Sequence, residues 1–344
     1  MTYYLSQRCF MTLPPRLTPD VATALTAIDA KRIRHVFFVA CGGSLAIMHP
    51  AKFLLDEHGD LASDVFNAAE FVARAPRLLG PDTLVVLCST TGTTRETVEA
   101  ASFADERGAI TLGLTVEPNS PLGRAVDYPV KFAAHYTTGI PIDSRDSNYA
   151  VIYEFLLGLI ALRGGEDLLE PLIGSLENLQ PAIDGALATY APRFEAYAEH
   201  FARQDVIYAL ASGASYGAAY SFAICVLMEM QWINSQAIHS NEFFHGPFEI
   251  LDENRCFVLL KGCDSTRALD ERAEAFLNRF GRPENILVLD AEELDLSGID
   301  ERFRGNLAPL IFFDSLWRFI YKVADFRQQV MLEGRRYMKK LTDY

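Results

Sequence analysis

No two cysteines stand in a CxxC spacing; the six fall at positions 9, 41, 88, 225, 256 and 263, most of them in apolar runs. That excludes a cysteine-based zinc cluster and a disulfide framework, and it points to buried thiols in a reducing compartment. No apolar run reaches the ~18 residues that a membrane-spanning helix needs. The N-terminus lacks a charged-then-apolar layout, so a cytoplasmic protein is expected. Positive charge is short as well: 31 Lys and Arg against 45 Asp and Glu leave a net charge of −14. A nucleic-acid partner needs a basic footprint, which this balance argues against. A GxxxxGK[ST] pattern is missing, which excludes a Walker nucleotide site, and no nicotinamide, flavin or HExxH motif is visible. No cofactor and no metal are expected. What is present is 344 residues, half of them hydrophobic and 22% charged: a globular composition long enough for two domains.

The most informative stretch is Cys88-Ser89-Thr90-Thr91-Gly92-Thr93-Thr94-Arg95-Glu96-Thr97. It follows the apolar run Thr83–Leu87 and leads into a helical pattern through Val98, Ala101 and Phe103. A hydroxyl-rich turn between strand and helix is one way that α/β proteins build an anion site. The free N–H groups of the first helical turn and the positive end of the dipole point at the ligand. Gly92 permits a close backbone approach. A plain helix cap explains the same residues, and that reading stays open here.

His35–Ala40 is a second apolar run, suited to a strand buried on both faces, and it ends in Cys41-Gly42-Gly43-Ser44 before a helix through Ala46, Ile47, Ala51 and Leu54. Residues 64–67 and 110–114 supply further strands. Strands alternating with helices predict a parallel, doubly wound α/β sheet, whose ligands bind at the carboxyl ends of the strands. The turns at 41–44 and 89–94 both fall there. Thr18-Pro19-Asp20 caps a helix through Val21, Leu25 and Ile28. One helix is predicted over Ser144–Leu162 and one long helical stretch over Leu168–Gln204. The layout then restarts: strand Val206–Ala211, turn Ser212-Gly213-Ala214-Ser215, helix Tyr216–Trp232, and later strands at 256–260 and 286–289. An internal duplication follows from that match. The expected organisation is an N-terminal helical segment (1–34), a first domain (35–165), linker helices (166–203), a second domain (204–300) and a C-terminal helix and tail (301–344). The tail Arg335–Lys340 is basic in an acidic chain, either a solvated end or a flap over an anionic ligand.

Two residues of the second half could carry chemistry. Glu229 sits in a helix apolar on nearly every face. An isolated buried carboxylate suits a general base, whereas a Glu at a helix end reaching solvent or a structural partner is the competing reading. His245 precedes Gly246-Pro247, which force a turn and hold the imidazole at a boundary. His239 ranks below it, as a structural histidine. Glu242 and His245 alone do not make a metal site.

The pieces CGGS (41–44), STTGTTRET (89–97), MEMQW (228–232) and NEFFHGPFE (241–249) occur in the order seen in sugar-isomerase (SIS) domain enzymes. Over residues 30–344 the chain resembles the two-SIS-domain phosphosugar enzymes, which are similar to the isomerase half of glucosamine-6-phosphate synthase. Within them it looks most like the fructosamine 6-phosphate deglycases, especially those of the aspartate adduct, with those of the lysine adduct more distant. The resemblance implies two tandem flavodoxin-like, three-layer α/β/α domains with parallel sheets. It implies a phosphate held by Ser89, Thr91 and Thr94 with the Thr90 backbone, and Gly43 and Ser44 beside the sugar. Thr90-Thr91 stand where the family usually has Ser. Glu229 matches the family's catalytic carboxylate, and His245 a ring-opening histidine that reaches the neighbouring subunit's site. Lys340 lies near a sugar-contacting lysine. The implied reaction is cleavage of a fructosyl-amino acid 6-phosphate through an enaminol, and the implied partners are a phosphosugar and a second copy of the chain, at least a dimer. The alternatives are an aldose–ketose phosphosugar isomerase, an aminosugar deaminase or a non-catalytic sugar-phosphate regulator. The segment Ile140-Pro141-Ile142-Asp143-Ser144-Arg145 is a candidate for reading the amine, with Arg145 meeting either a substrate carboxylate or Asp143 or Asp146.

Overall fold

The computed structural model describes residues 13–134, 143–338 and 340–341; Cys9, Ile140, Pro141 and Ile142 lie outside them. Continuous apolar runs become central strands. β1 (His35–Ala40), β3 (Thr83–Cys88) and β8 (Cys256–Lys261) are buried along their whole length, as strands covered by helices on both faces must be. With β2 (Ala62–Asn67), β4 (Ile110–Thr115) and β5 (Tyr128–Lys131), the first sheet has the order β2-β1-β3-β4-β5, all parallel. The second sheet runs β7-β6-β8-β9 from β6 (Val206–Ala211), β7 (Asn234–His239) and β9 (Ile286–Asp290), again all parallel. In chain order both begin 2-1-3-4. This is the flavodoxin-like doubly wound order, and the two sheets repeat it as a duplication predicts.

The helices Asn148–Leu162, Leu179–Ala202 and Arg304–Arg327 supply much of a hydrophobic core that includes buried residues of both sheets. The Tyr153 hydroxyl donates to the Asn306 carbonyl at 3.0 Å, joining the first and last of these helices inside that core. Among the described residues, no helix is long and apolar enough to cross a membrane.

Three predicted helices end differently. The stretch over 168–204 is two helices, Leu169–Glu177 and Leu179–Ala202, parted at Asn178. Pro181 falls in the first turn of the second, where its missing N–H costs nothing, so the break belongs just before it. The helix placed from Ser144 starts at Asn148, because Ser147 turns its hydroxyl to the Ala150 N–H and caps it there. The helix from Tyr216 changes to π geometry over Phe222–Met228, resumes at Glu229–Gln231 and stops at Trp232 in left-handed backbone, φ 57°. β5 and β7 were not legible: β7 reads Asn-Ser-Gln-Ala-Ile-His, a polar edge strand with little burial to signal it.

Candidate functional site

β1 and β3 are hydrogen-bonded neighbours, and the chain leaves them for β2 and β4 on opposite sides. That is the switch point of the sheet, where a crevice opens at the strand ends. Both predicted turns lie at it. After β3, the Ser89 and Thr94 hydroxyls meet at 2.9 Å and those of Thr91 and Thr93 at 2.7 Å. Thr94 precedes the Arg95–Asp105 helix, yet its side chain makes no capping bond. The simple cap reading therefore loses its main support, since the hydroxyl that would satisfy the helix turns to Ser89.

The loop is tied down from beneath. Thr90 O accepts the Val116 N–H at 3.0 Å, and the Leu122 N–H donates to Gly92 O at 2.9 Å. Gly92 has φ +64°; a Cβ there would overlap the Ser120 side chain and lie 2.8 Å from Thr115 Oγ1. Gly92→Ala should therefore deform the loop at a backbone cost of about 1–2 kcal/mol before any overlap is relieved. Calorimetric titration with a sugar phosphate should show weakened binding, with the protein still folded and its melting temperature lowered by a few degrees. Undiminished affinity would mean that the loop does not hold phosphate.

The turn after β1 is the short helix Gly42–Ala46, with Gly43 and Ser44 at its start. Gly43 packs on the second domain: the place of its Cβ is 3.6 Å from Cys225 Sγ. Glu229 lies one turn further along that helix and acts electrostatically on the Cys225 thiol. So the Gly43–Ser44 turn touches both the strand end at Cys88 and the helix at Cys225, one turn before Glu229. The thiols there are poor nucleophiles: burial pushes Cys88 and Cys225 up to about 12, the first despite a hydrogen bond with Ser44. His49, beside Tyr216 and Tyr220 in the same junction, has its pKa lowered by burial; no sequence pattern marked it.

Glu229 is not isolated. Arg335 Nη1 reaches its Oε1 at 3.1 Å, and both side chains are about four-fifths buried (20% and 19% exposed). The basic tail is accordingly not a free end. Gln231 Nε2 donates to the Gln329 carbonyl, Gln329 Nε2 to the Met230 carbonyl, and Met331 is buried. Arg336 lies over the Trp232 ring, 3.6 Å from its centroid. Beside them a cavity of about 490 Å³ opens to the surface, lined by Met228, Glu229, Trp232, Arg335, Arg336 and Tyr337 among others.

His245 is brought to neither. It closes the short 3₁₀ turn Glu242–His245, is exposed, and is followed by Gly246 at φ 135°. The segment is anchored just upstream, where buried Asp270 accepts from Ser240 at 2.5 Å and from Ser212 at 2.7 Å. Burial pushes the Asp270 carboxyl up to about 6 against those hydrogen bonds. His239 accepts the Asn241 N–H at Nδ1 and is half-buried. Lys340 is exposed and donates to the carbonyl of Glu333. Arg145 pairs with neither Asp143 nor Asp146 through its side chain; its guanidinium lies against Glu154 and Glu177, both at 3.2 Å. Glu154 is fully buried, so this pair outcompetes the exposed acids next to Arg145 in the chain.

The second sheet has the matching crevice, and it is filled. The Asp264 carboxylate takes the Ala214 N–H at 3.2 Å, the Thr266 N–H at 2.8 Å and the Thr266 hydroxyl at 2.6 Å. An internal anion occupies the position that is lined with hydroxyls in the first domain.

The SIS domain profile matches residues 30–158. Fructosamine deglycase FrlB of Bacillus subtilis is 42% identical over 95% of this chain and 98% of its own. Fructoselysine 6-phosphate deglycase of Escherichia coli K12 is 27% identical over 95% of this chain and 92% of its own. A Bacillus subtilis crystal structure of a candidate phosphosugar isomerase superposes with a TM-score of 0.90 at 41% identity, covering 95% of this chain and 98% of that one. Matched in sequence and fold along nearly its whole length, the chain belongs to the SIS-domain family, in the group that includes the fructosamine deglycases.

Proposed function

We propose that this enzyme is a fructosamine 6-phosphate deglycase that turns a fructosyl-amino acid 6-phosphate into glucose 6-phosphate and the free amino acid. What supports the reading is the junction: a hydroxyl loop at a strand-end switch point, and beside it the Gly43–Ser44 turn, packed on Cys225 one helical turn before Glu229. The 42% identity to a named deglycase supports the same reaction.

In this reading the first domain (35–165) anchors the phosphate through Ser89, Thr91, Thr94 and the Thr90 backbone, with Gly43 and Ser44 beside the sugar. That anchoring is remote from the reacting carbons, so its binding energy positions them. The second domain (204–300) supplies the acid and base. A histidine delivers a proton to the ring oxygen as the furanose opens. Glu229 takes a proton from C1; the electron pair forms the C1–C2 double bond and the C2 carbonyl oxygen is protonated, giving the enaminol. Return of a proton to C2 yields the C1 imine of glucose 6-phosphate, and water cleaves that imine to the aldehyde and the free amine. No oxidant or cofactor enters the balance.

His245 is exposed on its own subunit, and we assign it to the site of a second copy. Incubation with fructose 6-phosphate adducts of amino acids should release glucose 6-phosphate, read by a coupled dehydrogenase. Interconversion of fructose and glucose 6-phosphates, with the adducts left intact, would reject the deglycase.

A further inference from the structure

We propose that the cavity between Glu229 and the C-terminal segment is the subsite for the amino-acid part of the substrate, and that Arg336 takes its α-carboxylate. The inference rests on the deglycase reading and adds what recognises the leaving amine.

The placement follows from the chemistry. A base removing the C1 proton stands within hydrogen-bonding reach of C1, and the amine nitrogen is bonded to that same carbon. The phosphate sits at the far end of the sugar. The amino acid therefore occupies space that borders Glu229 but not the phosphate loop. The 490 Å³ cavity has that placement: Glu229 lines it, and neither Ser44 nor any residue from Ser89 to Thr94 does. Its size suits an amino acid attached to the end of a sugar.

Its wall names the ligand class. Arg335 is already engaged, by Glu229 at 3.1 Å and by the Leu332 carbonyl at 2.7 Å. Arg336 is exposed and, among the described residues, makes no hydrogen bond or ion pair; its one contact of note is the Trp232 ring. A guanidinium over an aromatic face keeps its in-plane N–H groups open, the fork that grips a carboxylate in two places. Trp232 is set for this by its left-handed backbone, an uncommon state for so bulky a residue. Met228, Tyr337 and Met338, all substantially exposed, join Ile233 and Asn234 in the rest of the wall. Flexible thioethers adapt to side chains of different shape. The subsite thus selects an α-amino acid over a simple amine, and it is permissive about the side chain.

The test uses two substrates with the same sugar phosphate, the adducts of alanine and of ethylamine, which differ by the carboxylate. The wild-type enzyme should prefer the alanine adduct in kcat/KM by about 10- to 150-fold, the range of a charge-assisted hydrogen bond. Arg336→Met should collapse that ratio toward unity, Arg336→Lys should restore part of it, and inhibition by inorganic phosphate should be the same in all three. An equal loss on both adducts would make Arg336 a brace for the C-terminal segment and overturn the proposal. So would a ratio that Arg336→Met leaves intact. A wild-type enzyme active on both adducts without preference rejects the subsite alone, whereas one that cleaves neither rejects the deglycase reading beneath it.

Discussion

Glu229→Gln should bind sugar phosphate as the wild type does and lose turnover by about 10²- to 10⁴-fold, the usual contribution of a positioned general base. Glutamine has the same length and volume, and its amide oxygen still accepts from Arg335 Nη1, now 3.1 Å from the carboxylate. The C-terminal segment also keeps its other ties, through Gln231, Gln329 and buried Met331. The fold and the cavity should therefore survive. What is lost is the basicity needed to take a proton from carbon, since an amide oxygen accepts hydrogen bonds but is far too weak a base. The checking measurement is single-turnover release of glucose 6-phosphate beside a calorimetric affinity for a non-reacting sugar phosphate. Turnover within a factor of a few of wild type would remove Glu229 from the chemistry; loss of affinity alone would make it a binding residue.

The second large effect concerns His245. If the exposed imidazole serves a neighbouring copy, two inactive variants should complement each other. Glu229→Gln and His245→Ala homodimers should each be nearly silent. After denaturation and refolding together, half the dimers are mixed, and each mixed dimer has one site with an intact Glu229 and a partner's intact His245. Activity should return to about a quarter of wild type for random pairing about a twofold axis. No recovery, with mixed dimers present by native mass spectrometry, would place the acting histidine in the same chain as its glutamate. The same mixing with Gly92→Ala in place of His245→Ala reports whether the phosphate loop and Glu229 belong to one chain, as the contact between Gly43 and Cys225 requires.

The contrast between the two halves explains why one site and not two is expected. Ser89 and Thr94 bond to each other and leave the crevice at the strand ends lined with hydroxyls. In the second sheet Asp264 puts a carboxylate into the equivalent place, and the amide and hydroxyl groups that would greet a phosphate are already satisfied. An added anion there would also meet a fixed negative charge. The duplicated fold kept its architecture, while one aspartate closed the second crevice.

The sequence alone determined the elements whose signal is local. β1, β3 and β8 are covered on both sides, so they appear as unbroken apolar runs. Their alternation with helices implies parallel crossovers, and those put the turns at 41–44 and 89–94 on one edge of the sheet. An acid inside an apolar helix stands out for the same reason, which is why Glu229 was visible. Only the tertiary structure decided the rest. Arg335 finds Glu229, Arg145 finds Glu177, and Asp264 finds Ala214 through contacts between segments far apart in the chain. Such pairings follow no period of two or 3.6 residues, and a charged side chain far from its partner looks like any solvated one. The polar edge strand β7 was hidden because a half-exposed strand buries too little to impose a pattern. The basic end of the chain, which reads as a solvated tail, docks because Met331 and Gln329 find places against the helix end at Met230–Gln231, and so its arginines line the cavity beside Glu229.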